Sequence, residues 1–385
     1  MSADIVIVRN PVKIATKEHL QELGRFCDEN ACAVSFYFSL ASTANNSHNK
    51  ELIAIKRLIQ EKQSYIGPET GPRSLTKDLE ELVTVTEDIR VNPARLRVVF
   101  ACDGKHLWRE FDLPAPNSIS QIEIGRRFRL YPLMAALQRS APYCVVLLET
   151  GKARAFFVRG TEIVEVEGRL PIEDLSLHAC DSRVGWSKRI DTNVAEHEKA
   201  YFKKLAHSLL GLMAEQRIVD LLIGCRDDLW NEVRRQFSVF KDDALLAHFH
   251  LPNFTIGPAE VLHIASPVFE AHQRNRCRAL LNEINESPSR AGFGVGDVLR
   301  DLEQGRVQKL VLAQLPHQTI SECQDCVRMW AEAGQNCIFC GSAGVRYLPA
   351  EEGLIRYALN SDVEMFLVEA DAIPGFSGVS GLLRY

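Results

Sequence analysis

Cys144-Val-Val-Leu-Leu-Glu149, Thr150-Gly-Lys-Ala-Arg-Ala-Phe-Phe-Val158 and, past Gly160, Glu162-Ile-Val-Glu-Val166 are three apolar runs separated at Thr150-Gly-Lys and at Gly160. Runs of this length, rich in Val, Ile and Phe and bounded by turn residues, predict a three-stranded meander. Downstream, 193–216 puts Tyr201, Leu205, Leu209, Leu212 and Met213 on one stripe and predicts a long amphipathic helix. Ile218-Val-Asp-Leu-Leu-Ile223 reads as a buried strand, and 227–237 as a helix whose free amides Asp227 or Asp228 can cap. A longer helix is expected over 258–284, interrupted near Pro267. Strands followed by alternating helix and strand make this region mixed α/β.

Upstream, Leu20, Leu23 and Phe26 predict a helix over 17–30, followed by a strand at Ala33-Val-Ser-Phe-Tyr-Phe38. Helices are expected over 49–66 and 74–86, then a hairpin from 96–102 and 106–111 with Asp103-Gly-Lys as its turn. A strand and a helix within 119–137 close this part near Arg139-Ser140. Beyond Ser287-Pro, a helix over 295–303 ends at Gly305 and Val307-Gln-Lys-Leu-Val-Leu-Ala313 is a strand. A cysteine-dense insertion at 323–340 follows, then a helix over 349–360, a strand over 363–368 and a glycine-spaced closing segment over 375–384.

The 385 residues suffice for two to three domains with cores of their own. Hydrophobic residues at 46% and charged residues at 25% exclude collagen-like and disordered chains. A net charge of -5 gives no whole-molecule field for nucleic acid, so any RNA contact is local, and no DNA partner is expected. Apolar runs such as Tyr143 to Leu148 are too short to cross a bilayer, and Met1-Ser-Ala-Asp-Ile lacks the basic start of a signal peptide. A cytoplasmic protein with no membrane partner is therefore expected, with its eleven cysteines as reduced thiols or metal ligands.

The distribution of the thiols favours a metal. Cys323-Gln-Asp-Cys326 and Cys337-Ile-Phe-Cys340 form two C-x2-C knuckles, where an even scatter would leave about half a cysteine in the window. Four thiolates suit tetrahedral Zn²⁺ and leave no open position, so a structural zinc is expected. Gly341 fits the turn after the second knuckle, whereas Val327 stands at the same place after the first. The bland alternative is four partly buried free thiols. His248-Phe-His250 offers two imidazoles without a third ligand nearby, and Glu196-His197-Glu198 reads as a solvated first helical turn. Arg183, Lys188, Arg189, Lys199, Lys203 and Lys204 concentrate positive charge, as a phosphate track or as a solvated helix face. No G-x-S-x-G, Walker A or dinucleotide fingerprint is present.

The order of these units resembles a known design. Leu302-Glu-Gln-Gly-Arg-Val-Gln-Lys-Leu-Val-Leu-Ala313, the two-knuckle insert, Glu351 to Leu359, Val363 to Val368 and the terminal Phe376 to Tyr385 resemble the third domain of archaeal and eukaryotic class-I peptide-chain release factors. The whole chain is similar to the bacterial archaeo-eukaryotic release factor family. Cys144 to Val166, Trp186-Ser-Lys-Arg to Leu210 and Gly125-Arg-Arg-Phe-Arg-Leu-Tyr-Pro-Leu133 also match it. The resemblance implies an α/β chain of three domains: an N-terminal α/β domain (1–139), a ribonuclease-H-like middle domain (140–270), and a C-terminal α/β domain (271–385) like ribosomal proteins that bind kinked RNA.

In such factors a middle-domain Gly-Gly-Gln loop positions water against the ester of peptidyl-tRNA. Here the loop reads Asp181-Ser-Arg-Val-Gly-Trp-Ser-Lys-Arg189, with Gly185, Trp186 and Ser187 on the motif. Trp186 is bulky where backbone must approach closely and Ser187 lacks a carboxamide, so hydrolysis by the usual route is not expected. The stop-codon-reading Asn-Ile-Lys-Ser pattern is also missing; Asn45 to Lys50 is only a polar loop. The resemblance thus implies a ribosome- or structured-RNA-binding protein acting in rescue, pausing or protection. Its RNA contacts would be Arg183, Gly185, Trp186, Ser187, Lys188 and Arg189, and its zinc ligands Cys323, Cys326, Cys337 and Cys340. The rival is an ester or phosphodiester hydrolase using Ser187 or His197 with Glu196 or Glu198. A third reading is a protein-interaction scaffold.

Overall fold

The computed structural model describes residues 15–39, 45–66, 73–88, 95–114, 120–171, 187–240, 245–251, 253–315, 317–368 and 376–385. In chain order it has α1 (Lys17–Arg25), β1 (Ala33–Ser39), α2 (Asn45–Ile66), α3 (Arg73–Asp88), β2 (Arg95–Cys102), β3 (Leu107–Pro114), β4 (Ser120–Gly125) and α4 (Tyr131–Arg139). Next come β5 (Tyr143–Glu149), β6 (Lys152–Arg159), β7 (Glu162–Glu165), α5 (Ser187–Glu215), β8 (Asp220–Cys225), α6 (Asp227–Gln236), β9 (Leu245–His250) and α7 (Pro258–Glu286). The chain continues through β10 (Ala291–Phe293), α8 (Gly294–Glu303), β11 (Val307–Ala313), β12 (Thr319–Cys323), β13 (Met329–Trp330), β14 (Val345–Pro349), α9 (Ala350–Asn360), β15 (Glu364–Val368) and β16 (Val379–Leu383). These form two compact units: Met1–Arg139 with Arg276–Tyr385, and Ser140–Asn275.

In the unit Ser140–Asn275 the expected meander forms, and β8 and β9 extend it in parallel, giving the order β7-β6-β5-β8-β9. Only β6 runs against the other four strands, which is the ribonuclease-H-like arrangement the resemblance implies. Phe202, Leu205 and Leu209 of α5 and Val233 of α6 pack with Cys144, Val146 and Ile223 on one face. Val261, Ala265 and Phe269 of α7 pack with Tyr143, Val145 and Leu222 on the other. Coverage of both faces explains why β5 and β8 are apolar runs rather than alternating ones.

Two local expectations are corrected here. Pro267 lies inside α7 without ending it, because Ala265 before it and Phe269 after it bury in the same core and hold the helix through. Asp227 and Asp228 do not cap α6: Arg226 occupies the cap position without a side-chain bond. The two carboxylates sit in the first turn, where they favour the positive helix end by charge alone.

In the unit of Met1–Arg139 and Arg276–Tyr385, an antiparallel sheet β3-β2-β1-β4 stands beside the sheet β10-β16-β11-β15 and the small sheet β13-β12-β14. Val34, Phe36, Phe38 and Val99 face Ile55 and Ile59 of α2 and Leu79 and Leu82 of α3. Tyr37, Val98 and Phe100 face the opposite way, into a core shared with Leu299 and Leu302 of α8 and Leu354 and Ile355 of α9. The N-terminal and C-terminal stretches of this unit therefore fold on one core. Within the C-terminal stretch, Gly353 lets α9 press onto β12, since a Cβ there would lie 2.2 Å from Ile320 Cδ1. The expected β2–β3 hairpin forms, with Cys102 opposite Leu107, but its positive φ falls on His106 (53°) after a single 3-10 turn, not on Gly104.

Buried charge bonds the two stretches to each other. Glu322, fully buried, accepts from Arg127 and from Arg346 Nε at 2.6 Å. Glu352 accepts from the backbone amides of Leu130 (2.8 Å) and Tyr131 (2.9 Å), so a carboxylate on α9 caps the start of α4. Arg129 Nη2 donates to Glu351 at 2.8 Å, and Arg356 Nη2 donates to the carbonyl of Phe128 at 2.9 Å.

Candidate metal centre

β12 ends on Cys323, and the chain turns through Cys326 into β13; the second turn, Cys337 to Cys340, leads toward β14. The antiparallel β12–β14 pairing, from Thr319 opposite Pro349 to Cys323 opposite Val345, brings the base of one turn beside the exit of the other. The two turns are built alike. In the first, Val327 N donates to Cys323 O (3.1 Å) and Cys323 N to Arg328 O (2.9 Å). In the second, Gly341 N donates to Cys337 O (2.9 Å) and Cys337 N to Ser342 O (2.7 Å), the same two bonds at the same spacing.

The four Sγ atoms lie within 4.8 Å of one another, with Cys323 to Cys340 and Cys326 to Cys337 both at 3.6 Å. Ligands about 2.3 Å from a tetrahedral ion stand roughly 3.8 Å apart, so this spacing fits a metal bound by four thiolates. Cys326 N and Phe339 N each point at a sulfur from 3.4 Å, to Cys323 and Cys337 respectively. The amide of Cys326 pulls the Cys323 thiol below its ordinary pKa. Desolvation pushes the Cys337 thiol up, but the amides of Cys340 and Phe339 outweigh it and bring it to about 6. Elsewhere burial raises isolated thiols, to about 11 at Cys102 and Cys277 and about 12 at Cys225. The knuckle amides thus favour the thiolate at Cys323 and Cys337. At Cys326 and Cys340 the amides of Arg328 and Ser342 act the same way, but burial and the neighbouring thiols outweigh them, pushing Cys326 up and Cys340 up to about 12 as long as no ion draws the four sulfurs together. Trp330 packs edge-on to Phe339 with centroids 6.0 Å apart, and the Arg328 guanidinium lies 3.7 Å over the Phe339 ring, closing the outer side. Four protein ligands fill a tetrahedral sphere, so an ion here holds structure and activates no water.

The residue after each knuckle adopts the left-handed conformation, Val327 at φ 61° and Gly341 at φ 77°. A β-branched side chain is strained there. Val327→Gly is expected to raise stability toward metal release, with about 1 kcal/mol relieved. A higher chelator concentration at half-release checks this; an unchanged or lower midpoint would show that the turn does not hold Val327 in strain.

Among the described residues these cysteines are the one cluster of thiol, imidazole and carboxylate ligands with donor atoms this close. His248 Nε2 lies 3.1 Å from the Cys225 carbonyl, and both His248 and His250 face Asp227 at 3.5 Å, while Trp230 stacks on His248 at 4.8 Å. Of the loop residues read for RNA contact, Arg183, Gly185 and Trp186 lie outside the described residues. Ser187, Lys188 and Arg189 open α5, and Lys199, Lys203 and Lys204 are exposed further along it. Ser187 stands on this one helix about 14 Å along the axis from Glu196 and further from Glu198, too far for a serine and its base, whereas His197 lies between the two glutamates in sequence. What sequence reasoning missed is the arginine and glutamate network at 127–130, 322 and 351–356. Its residues adjoin in space but lie some two hundred positions apart in the chain.

The sheet order of one unit and the four-thiolate turns of the other are features that the resemblance to class-I release factors implies. Over residues 129–270 the chain matches the model described as "Bacterial archaeo-eukaryotic release factor family 10". No curated protein matches it significantly. Among solved structures it is similar to Pelota of Archaeoglobus fulgidus (12% identity, 97% of this chain and 93% of that one, TM-score 0.30). It is also similar to Dom34 of S. cerevisiae, described as a translation termination-like factor (12%, 78% and 81%, TM-score 0.41). The archaeal translation termination factor aRF1 is a third (14%, 96% and 99%, TM-score 0.24). Scores of this size carry no functional conclusion. No described helix is long and apolar enough to cross a membrane.

Proposed function

We propose that this is a release-factor-like protein that binds the ribosome or structured RNA and acts by occupying its site, in rescue, pausing or protection, without hydrolysing peptidyl-tRNA. The observation that carries the proposal is the family match over 129–270, which spans the loop and its helix. Within it, Gly185-Trp-Ser187 stands where release factors place Gly-Gly-Gln, and no carboxamide is available to position water. Arg183, Lys188 and Arg189 supply phosphate contacts and Trp186 a stacking surface, with Gly185 and Ser187 between them. Lys199, Lys203 and Lys204 continue the positive charge along α5. The chain is read as three domains, 1–139, 140–270 and 271–385, acting in the cytoplasm. The ion in the four-cysteine site is read as zinc, holding β12, β13 and β14 of the third domain.

Co-sedimentation with ribosomes at about 50 and about 200 mM salt tests the reading, because phosphate contacts weaken steeply over that range. Binding at the lower salt that falls at least about tenfold at the higher is expected. Salt-independent binding, or none at either concentration, would contradict it and favour a protein-interaction scaffold.

A further inference from the structure

A cavity of about 770 Å³ opens in the unit of Met1–Arg139 and Arg276–Tyr385, beside α1, β14 and α9. Arg25, Arg126, Arg127, Arg346 and Arg356 line it, against Glu29 and Asp325. Setting the buried Glu322 and Glu352 against these five arginines still leaves cations in excess. Arg356 is the decisive group. Its residue is 4% exposed, and Nε and Nη1 have no hydrogen-bond partner among the described residues. Only Nη2 is engaged, with the Phe128 carbonyl at 2.9 Å, and Glu352 stands off at 3.9 Å. A buried guanidinium with two idle donor atoms is unfavourable unless an anion completes it.

We propose that this cavity binds a phosphate-bearing small molecule of up to nucleotide size, with Arg346 and Arg356 as its inner recognition groups and Arg126 at its mouth. Guanidinium forks match phosphate oxygens in pairs, and several around one cavity make the arrangement phosphate-selective. The volume lies in the range of small-molecule sites. Met329 and half-buried Tyr357 add apolar wall, enough to seat a base or sugar beside the charged end. A concave cavity with a buried guanidinium suits a discrete anion better than a nucleic-acid backbone, which docks on exposed cations. Burial also draws Arg356 down to about 10, with Arg127 and Arg346 adding repulsion, and the charge of a bound phosphate would offset both.

Isothermal titration of the metal-loaded full chain with ADP, pyrophosphate and inorganic phosphate, against potassium chloride at matched ionic strength, tests this. Saturable binding is expected for ADP and pyrophosphate. It should be about tenfold weaker in Arg346→Lys, which keeps the charge beside Glu322 but loses the fork, and weaker by a smaller factor in half-buried Arg126→Ala. Thermal melts report whether each variant is folded, and Arg126→Ala serves if Arg346→Lys is not. ADP binding more tightly than pyrophosphate places the base in the cavity as well; equal affinities restrict recognition to the phosphates. No saturable heat beyond the chloride control, or affinities unchanged in folded variants, would overturn the proposal.

Discussion

Glu322→Ala is expected to destabilise the unit of Met1–Arg139 and Arg276–Tyr385 by about 3–5 kcal/mol, the usual penalty for leaving buried charge unpaired. The carboxylate is fully buried and holds two guanidiniums at once, Arg127 from the N-terminal stretch and Arg346 from β14. Both arginine side chains are themselves mostly buried, at 12% and 17% exposure, so water cannot replace the lost partner. Glu322→Gln keeps the shape and one acceptor and should lose less. Urea unfolding followed by hydrogen exchange measures the effect locally: amides of β1, β2 and α9 should lose protection, while those of β5 and β8 keep it. A loss under about 1 kcal/mol would mean that these charges are solvated in solution and that the two stretches are held by their shared apolar core alone.

Stripping the metal is the second large perturbation. Removal by a chelator, or Cys323→Ser, is expected to abolish exchange protection over 319–349, because β13 is two residues long and its sheet has little apolar core of its own. Structural zinc sites in small modules supply about 10–16 kcal/mol of apparent binding energy at neutral pH, so their loss unfolds what they hold. Here Ile320, Met329 and Leu348 also join the larger core, which limits the damage to this sheet and the turns. Elemental analysis should give one metal per chain, identified as zinc, in the parent and none in the serine variant. Full protection in the metal-free protein would show that the turns stand on hydrogen bonds alone.

Much of this was legible in the sequence where local chemistry and tertiary packing agree. The helix ended by Gly305 (φ 67°) and the strand 307–313 after it stand where the pattern put them. So does the meander, whose first strand, β5, is covered on both faces. The cysteine spacing announced the four-sulfur cluster before any coordinates. Errors arose where a remote contact overrode a local rule. Pro267 reads as a break, yet its helix is clamped by core residues on both sides. The Asp103-Gly-Lys turn forms where it is expected, but the left-handed residue is His106 rather than the glycine, with Asp103 held by Lys77 at 2.7 Å and its backbone amide donating to the Asp78 carboxylate at 3.0 Å. Glu351 and Glu352 open the expected helix, but the pattern does not show that both are 2% exposed, because their partners Arg129, Leu130 and Tyr131 belong to a distant stretch. No periodicity encodes such a pairing.

The 183–189 segment is proposed to dock on RNA phosphate and bases. Its most direct test is ribosome binding by a chain carrying Arg183→Ala, Trp186→Ala, Lys188→Ala and Arg189→Ala, compared with the parent at one fixed low salt concentration. Affinity reduced by about tenfold or more, with a shallower salt dependence and an unchanged melting profile, is the predicted result. Equal affinity and equal salt slope in the two proteins would contradict it.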